Sequence, residues 1–262
     1  MIYARAIACM RRYLPPSLFE ALLSLRRLAA RRPIDGAEHF RRLVAGRYGL
    51  EIGGPSAVFV NELPLYGDVS RLDGVNFASR TLWQGDPGEA FDFMGGRKGS
   101  QYVSDGTHLS AIDDETYDFV LSSNCLEHIA NPLRALAEWA RVTRPGGALI
   151  LIVPNKEGNF DHRRPVTRFE HLLDDLNNGT GEDDLTHLDE ILALHDLSLD
   201  PAAGTFDEFS ARSRSNSTNR ALHHHVFDLD LAKRVVEFSG FVVVHATSTR
   251  KDYFVAGLKA KS

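Results

Sequence analysis

The chain has 262 residues, 43% hydrophobic and 25% charged, with a formal net charge of −5. That composition belongs to a globular protein with a sizeable core, and the acidic balance argues against nucleic acid as the partner of the whole molecule. Two cysteines, Cys9 and Cys125, have neither metal-ligand spacing nor a disulfide framework, and no apolar run approaches the ~20 residues that span a bilayer, so a reducing cytoplasm is the expected location.

The charge is unevenly spread. Residues 1–47 hold ten arginines against three acids, a net +7, which leaves −12 on the remainder. Arg5, Arg11 and Arg12 interrupt the first apolar stretch, which therefore lacks the core of a signal peptide. Two readings stand for this basic segment: contact with an anionic membrane surface, or helices packed on an acidic domain with their arginines in solvent. Ser17 and Glu20 form an S-x-x-E capping box, and Leu18, Leu22, Leu25 and Ala29 share one face of a helix that Pro33 ends. A second short helix, about Ala37 to Ala45, leads into the first strand.

Tyr48–Val58, YGLEIGGPSAV, is a strand that runs through Glu51 into Gly53 and Gly54. Glycine lets the backbone approach a ligand closely, and amides opening the next helix would face it. Val69–Asp73 reads as a second strand ending in an acid, 20 residues after Gly53, a spacing suited to accepting hydrogen bonds from ribose hydroxyls. Gln101–Gly106 reads as a strand and turn carrying Asp105. Asp118–Asn124 is a buried strand entering a polar loop. Asn131-Pro132 starts a helix whose stripe is Leu133, Leu136, Trp139 and Val142, and Arg144-Pro145-Gly146-Gly147 stops it. Ala148–Val153 is wholly apolar, as a strand covered on both faces must be. Strands alternating with helices imply a parallel α/β sheet with its ligands at the carboxyl ends of the strands.

From Pro154 to about Asp228 the periodicity lapses over a length too great for a bare loop, so this is an insertion with helices of its own. It holds seven of the eleven histidines: His162, His171, His187, His195 and the run His223–His225. Leu229–Ser239 is a helix capped by Gly240. Phe241–Thr247 and Tyr253–Leu258 are strands around a charged turn, a closing antiparallel hairpin.

This pattern resembles the class I S-adenosylmethionine-dependent methyltransferases over roughly residues 48–155 and 229–259. The most specific part is residues 117–154, where LEHI, an N-P helix, R-P-G-G and an apolar strand follow in order. GLEIGGPS resembles the cofactor loop, with Glu51 and Gly53 in place and Pro55 where a second glycine is usual. The resemblance implies a doubly wound, mostly parallel α/β sheet of Rossmann-like type with a C-terminal antiparallel hairpin. The N-terminal helical extension then covers residues 1–47 and the methyltransferase domain 48–262, with a helical acceptor-binding insertion at about 155–228. S-adenosylmethionine is the implied cofactor. Glu51, Gly53 and Gly54 would hold its amino-acid end, Asp73 its ribose, and Asp105 with Gly106 its adenine. Ser123 and Asn124 would line the floor near the sulfonium. The loop S-S-N-C departs from the N/D-P-P-Y of enzymes that methylate nucleobase amines.

The implied reaction is O-methylation of a hydroxyl on a polar small molecule or saccharide. Such a hydroxyl must lose its proton, which suits histidine. F-D-H-R-R-P follows the fifth strand, so Asp161 and His162 are read as an orienting acid and a base. His224, in H-H-H-V-F-D, closes the other side. Glu127 and His128 of LEHI are open to two readings, a structural turn or a place in the site, and His128 is kept among the catalytic candidates. A divalent metal held by the insertion's histidines is a sharper alternative, but T-H-L-D-E is not H-E-x-x-H and no metal is expected. Two other readings compete. A nucleotide-dependent oxidoreductase would want G-x-G-x-x-G at 53–58, which is absent. A non-catalytic cofactor-binding or scaffold subunit would use its N-terminal 47 residues to meet a partner.

Overall fold

A computed structural model describes residues 34–82 and 90–261. The helix expected from Ser17, with most of the basic segment, lies outside those residues. In chain order come α1 (Ala37–Val44), β1 (Tyr48–Ile52), α2 (Val58–Asn61), β2 (Arg71–Asn76), β3 (Ala90–Met94), β4 (Arg97–Val103), β5 (Tyr117–Ser123) and α3 (Pro132–Val142). Then follow β6 (Thr143–Pro154), α4 (Phe169–Asn178), α5 (Leu188–Leu194), α6 (Phe206–Arg214), α7 (Asn216–Asn219), α8 (Leu229–Phe238), β7 (Phe241–Ser248) and β8 (Asp252–Lys259).

Among the described residues one sheet has the order β3-β4-β2-β1-β5-β6-β8-β7. The inner five strands, β4 through β6, run parallel. β3 pairs antiparallel with β4 at one edge, and β8 pairs antiparallel with both β6 and β7 at the other. The fold class read from the sequence is therefore the fold observed, a mostly parallel α/β sheet closed by an antiparallel hairpin.

β6 shows why the inner strands are apolar throughout. Leu149, Leu151 and Val153 pack into one core with Leu136 and Trp139 of α3 and Val235 of α8. Ala148, Ile150 and Ile152 face the other core, built with Phe40 and Val44 of α1 and with Phe59. Successive side chains point to opposite faces, so a strand covered on both has no polar positions to spare. The Asn131 side chain accepts the Arg134 amide at 3.2 Å, and Pro132 occupies the first turn of α3. Trp139 is fully buried and donates its indole N–H to the Gly106 carbonyl at 3.0 Å, which ties α3 to the loop after β4.

Several boundaries differ from the sequence reading. β2 continues three residues beyond Asp73, to Asn76. β4 begins at Arg97 and is preceded by β3, joined to it through Gly95 and Gly96 at φ 57° and 84°. Arg144–Gly147 does not separate helix from strand. It lies inside β6, where a register irregularity opposite Tyr117 and Phe119 absorbs the extra residues. Residues 155–228 contain α4 to α7 and a small core of Ile191, Ala203, Phe209 and Leu222. Among the described residues no helix is long and apolar enough to cross a membrane.

Trp139→Ala removes a fully buried ring and its bond to Gly106. Urea denaturation is expected to show a loss of about 3–5 kcal/mol; a loss under ~1 kcal/mol would mean the packing beneath the 104–106 loop is not as described.

Candidate functional site

A cavity of about 730 Å³ opens at the carboxyl ends of β1, β2, β4 and β5. One wall is the turn after β1. Gly53 has φ 81°, and a Cβ there would lie 2.8 Å from Cys125 Sγ, so the position excludes a side chain on two grounds. Gly54 rests on Glu51: a Cβ would meet the carboxylate carbon at 2.2 Å. Val75 and Asn76 at the end of β2, Ser104 to Gly106 after β4, and Ser123 to Cys125 after β5 continue the wall. The far side is formed by Glu127 and His128, and by Phe160, Arg220 and His223 from the 155–228 segment.

The expected cofactor residues separate into two groups. Gly53, Asp105, Gly106, Ser123 and Asn124 line the cavity. Glu51, Gly54 and Asp73 do not. Glu51 is fully buried beneath the turn, accepting the Ser56 amide at 3.0 Å and the Tyr66 hydroxyl at 2.6 Å; burial pushes its carboxyl up to about 7. Asp73 sits mid-strand, fully buried. It accepts hydrogen bonds from the Tyr48 hydroxyl, the Tyr117 hydroxyl at 3.1 Å and the Ser100 amide at 2.8 Å. The expectation that Asp73 ends β2 and meets a ribose is therefore corrected: Asn76 holds the strand end, donating to the Gly54 carbonyl at 2.8 Å. Asp105 accepts the Thr107 amide at 2.8 Å and the Arg220 guanidinium at 2.8 Å. Burial opposes ionisation of Asp105, but these bonds hold its pKa below the usual carboxylate value.

The catalytic candidates are rearranged as well. Asp161 does not pair with His162. It accepts His223 Nδ1 at 2.5 Å on one oxygen and Arg164 at 3.1 Å on the other. Burial alone would raise Asp161, yet His223 and Arg164 hold it at about 2. His162 instead meets Asp196 at 2.9 Å, outside the cavity lining. His224 is buried against Asn216 at 2.9 Å and is also absent from the lining. His128 does face the cavity; its Nδ1 lies 3.0 Å from the Leu222 carbonyl, so that nitrogen carries the proton. Burial, then the neighbouring His223, keeps His128 well below the ordinary histidine value. Burial would lower His223 too, but Asp161 and then Glu127 leave it raised.

Glu127 is the residue the sequence reading left undecided. It is 1% exposed, lines the cavity, and neither carboxylate oxygen has a hydrogen-bond partner. Burial pushes it up to about 7. An orphaned buried carboxylate facing a cavity is what a ligand-binding group looks like without its ligand. His223 was hard to choose from sequence because three adjacent histidines lie in a segment with no regular periodicity.

Residues 50–151 match the family model of a methyltransferase domain. The match implies S-adenosylmethionine as the cofactor. A protein of Mycobacterium ulcerans (strain Agy99), described as an uncharacterized methyltransferase, is 36% identical over 108 residues, 41% of this chain and 39% of its own length. One from Mycobacterium sp. (strain JLS), described in the same words, is 42% identical over 107 residues, 40% of this chain and 38% of its own. The chain thus spans about two fifths of the length of these curated relatives. Among solved structures, an S-adenosylmethionine-dependent methyltransferase of Mesorhizobium loti aligns with TM-score 0.48 at 13% identity, covering 86% of this chain and 96% of that one.

The buried Glu51 gives a pH test. Its folded pKa, about 7, lies above the unfolded value of ~4.3. Its contribution is complete below the unfolded value and is lost as pH rises through 7. Relative to Glu51→Gln, the wild type should lose up to roughly 1.4 kcal/mol per pH unit between ~pH 4.5 and 7. Parallel stability curves for the two proteins across that window would contradict the burial described for Glu51.

Proposed function

We propose that the chain is an S-adenosylmethionine-dependent methyltransferase acting on a hydroxyl of a polar small molecule or saccharide. The observation that carries this is one cavity with a glycine turn on one wall and the Glu127–His128–His223 cluster on another. The residues present suit the cofactor. Gly53 leaves a cradle that a Cβ would fill, and Asp105 is a carboxylate on the cavity wall. When bound, the cofactor supplies an electrophilic methyl, so that a C–O bond forms to the acceptor as the C–S bond breaks and a neutral thioether leaves.

The protein's part is orientation and proton handling. Phe160, stacked on His195 and tilted against His223, gives the far wall an apolar face beside its polar cluster. Asp161 fixes the His223 tautomer through Nδ1 and so leaves Nε2 as the basic nitrogen. The acceptor's proton is lost beside this cluster as its oxygen attacks. Arg220, bonded to both Asp105 and Glu182, links the cofactor wall to the 155–228 segment, which would hold the acceptor.

Isothermal titration with S-adenosylhomocysteine tests the reading. Micromolar binding is expected, with Gly53→Ala at least ~10-fold weaker because a side chain there meets Cys125. No heat of binding to the wild type would overturn it. In a homocysteine-release assay over a panel of saccharides and polyols, His223→Ala should cut turnover by ~10²–10⁴. His162→Ala, outside the cavity, should stay within a few fold of wild type.

A further inference from the structure

We infer that Glu127, His128 and His223 form a binding site for a divalent first-row transition-metal ion on the cavity wall. Each offers one ligand atom, and these atoms lie within 4.8 Å of one another. Two imidazoles and one carboxylate are a donor set that suits such ions, and grouped on one side they leave the remaining positions open.

The surroundings of the ligands are those of a metal site rather than of a general polar cluster. Metal-bound histidines donate their second ring nitrogen to a carboxylate or a backbone carbonyl, which fixes the tautomer and aims the other nitrogen. Both histidines here do so. His223 gives Nδ1 to Asp161 at 2.5 Å, and His128 gives Nδ1 to the Leu222 carbonyl at 3.0 Å. Nε2 is then the lone-pair nitrogen on each ring, and that of His128 lies 4.0 Å from Glu127 Oε1. Asp161 is held in turn by Arg164, which is 1% exposed. Glu127 supplies the independent observation: it is 1% exposed, lines the cavity, and has no hydrogen-bond partner on either oxygen. Leaving a carboxylate buried and unpaired is expensive, and a cation between it and two neutral imidazoles removes that penalty. Ligand bonds of about 2.0–2.2 Å would draw the three side chains together by roughly an ångström.

What the ion does rests on the methyltransferase reading above. Its open positions face the cavity, so an acceptor with two adjacent oxygens would chelate it, and a vicinal diol is the substrate class this favours. A metal-bound hydroxyl loses its proton more readily. The proton leaves through the open cavity to solvent, and the oxygen is left nucleophilic.

The test is Mn²⁺ binding to chelator-treated protein, followed by electron paramagnetic resonance, for wild type, Glu127→Gln and Asp161→Asn. His171, His187 and His225 form a second candidate cluster, so the readout is the site lost on substitution rather than total metal. Glu127→Gln should abolish one equivalent. Asp161→Asn, which leaves all three ligands intact, should weaken the same site by ~10–100-fold. The Co²⁺-loaded wild type should also show d–d bands that Asp161→Asn alters. Either wild-type stoichiometry and affinity in both variants, or no binding by wild type at millimolar Mn²⁺, Co²⁺ or Zn²⁺, would overturn the inference. S-adenosylhomocysteine titration of the same metal-free samples reads the methyltransferase proposal separately, so each can fail alone.

Discussion

The cavity's far wall depends on one buried guanidinium. Arg164 is 1% exposed, and all but one of the bonds its side chain makes join separate stretches of chain. It reaches Asp161 at 3.1 Å, Glu190 at 2.9 Å, and the carbonyls of His223 and His224 at 2.8 and 3.2 Å. A buried charge needs this degree of pairing, because removing one partner leaves another uncompensated in a low-dielectric interior. The consequence is positional. Asp161 is held away from His162, and the 223–225 backbone is pinned where His223 meets the cavity. The 155–228 segment, otherwise a set of short helices, acquires through Arg164 a rigid polar centre against the sheet.

Much of the sheet was legible because its signals are local. The apolar run at Ala148–Val153, the Asn131-Pro132 start of α3 and the closing hairpin each follow from residues near in sequence, and packing against both faces makes the strands unmistakable. The β3–β4 edge was harder. Arg97–Val103 is half-exposed along its length, without the strict alternation that marks a strand. The Pro-Gly texture at the start of β6 misled for a related reason: a bulge tolerates the same residues as a turn, and only the neighbouring strand decides between them.

The candidate site was less legible, and its errors share a cause. Sequence spacing shows that an acid is near a strand end but not which way it faces. Asp73 and Glu51 are both acids on parallel strands beside a glycine turn, yet both are internal anchors. One bridges Tyr48, Tyr117 and Ser100; the other bridges Ser56 and Tyr66. Glu127 is the converse. It sits in a short turn whose pattern suits a purely structural part, and its distinguishing property, two buried oxygens without partners, exists only in three dimensions. His162 and His223 illustrate the same point. Asp161 is adjacent in sequence to one and bonded to the other.

The central claim is that the glycine turn and the imidazole–carboxylate cluster face each other across a single cavity that takes the cofactor and its acceptor. A crystal structure of the protein with S-adenosylhomocysteine tests this most directly. The expected result is ligand density against Gly53, with the sulfur directed toward His128 and His223. Density at any other place on the chain, or a sulfur turned away from that cluster, would contradict it.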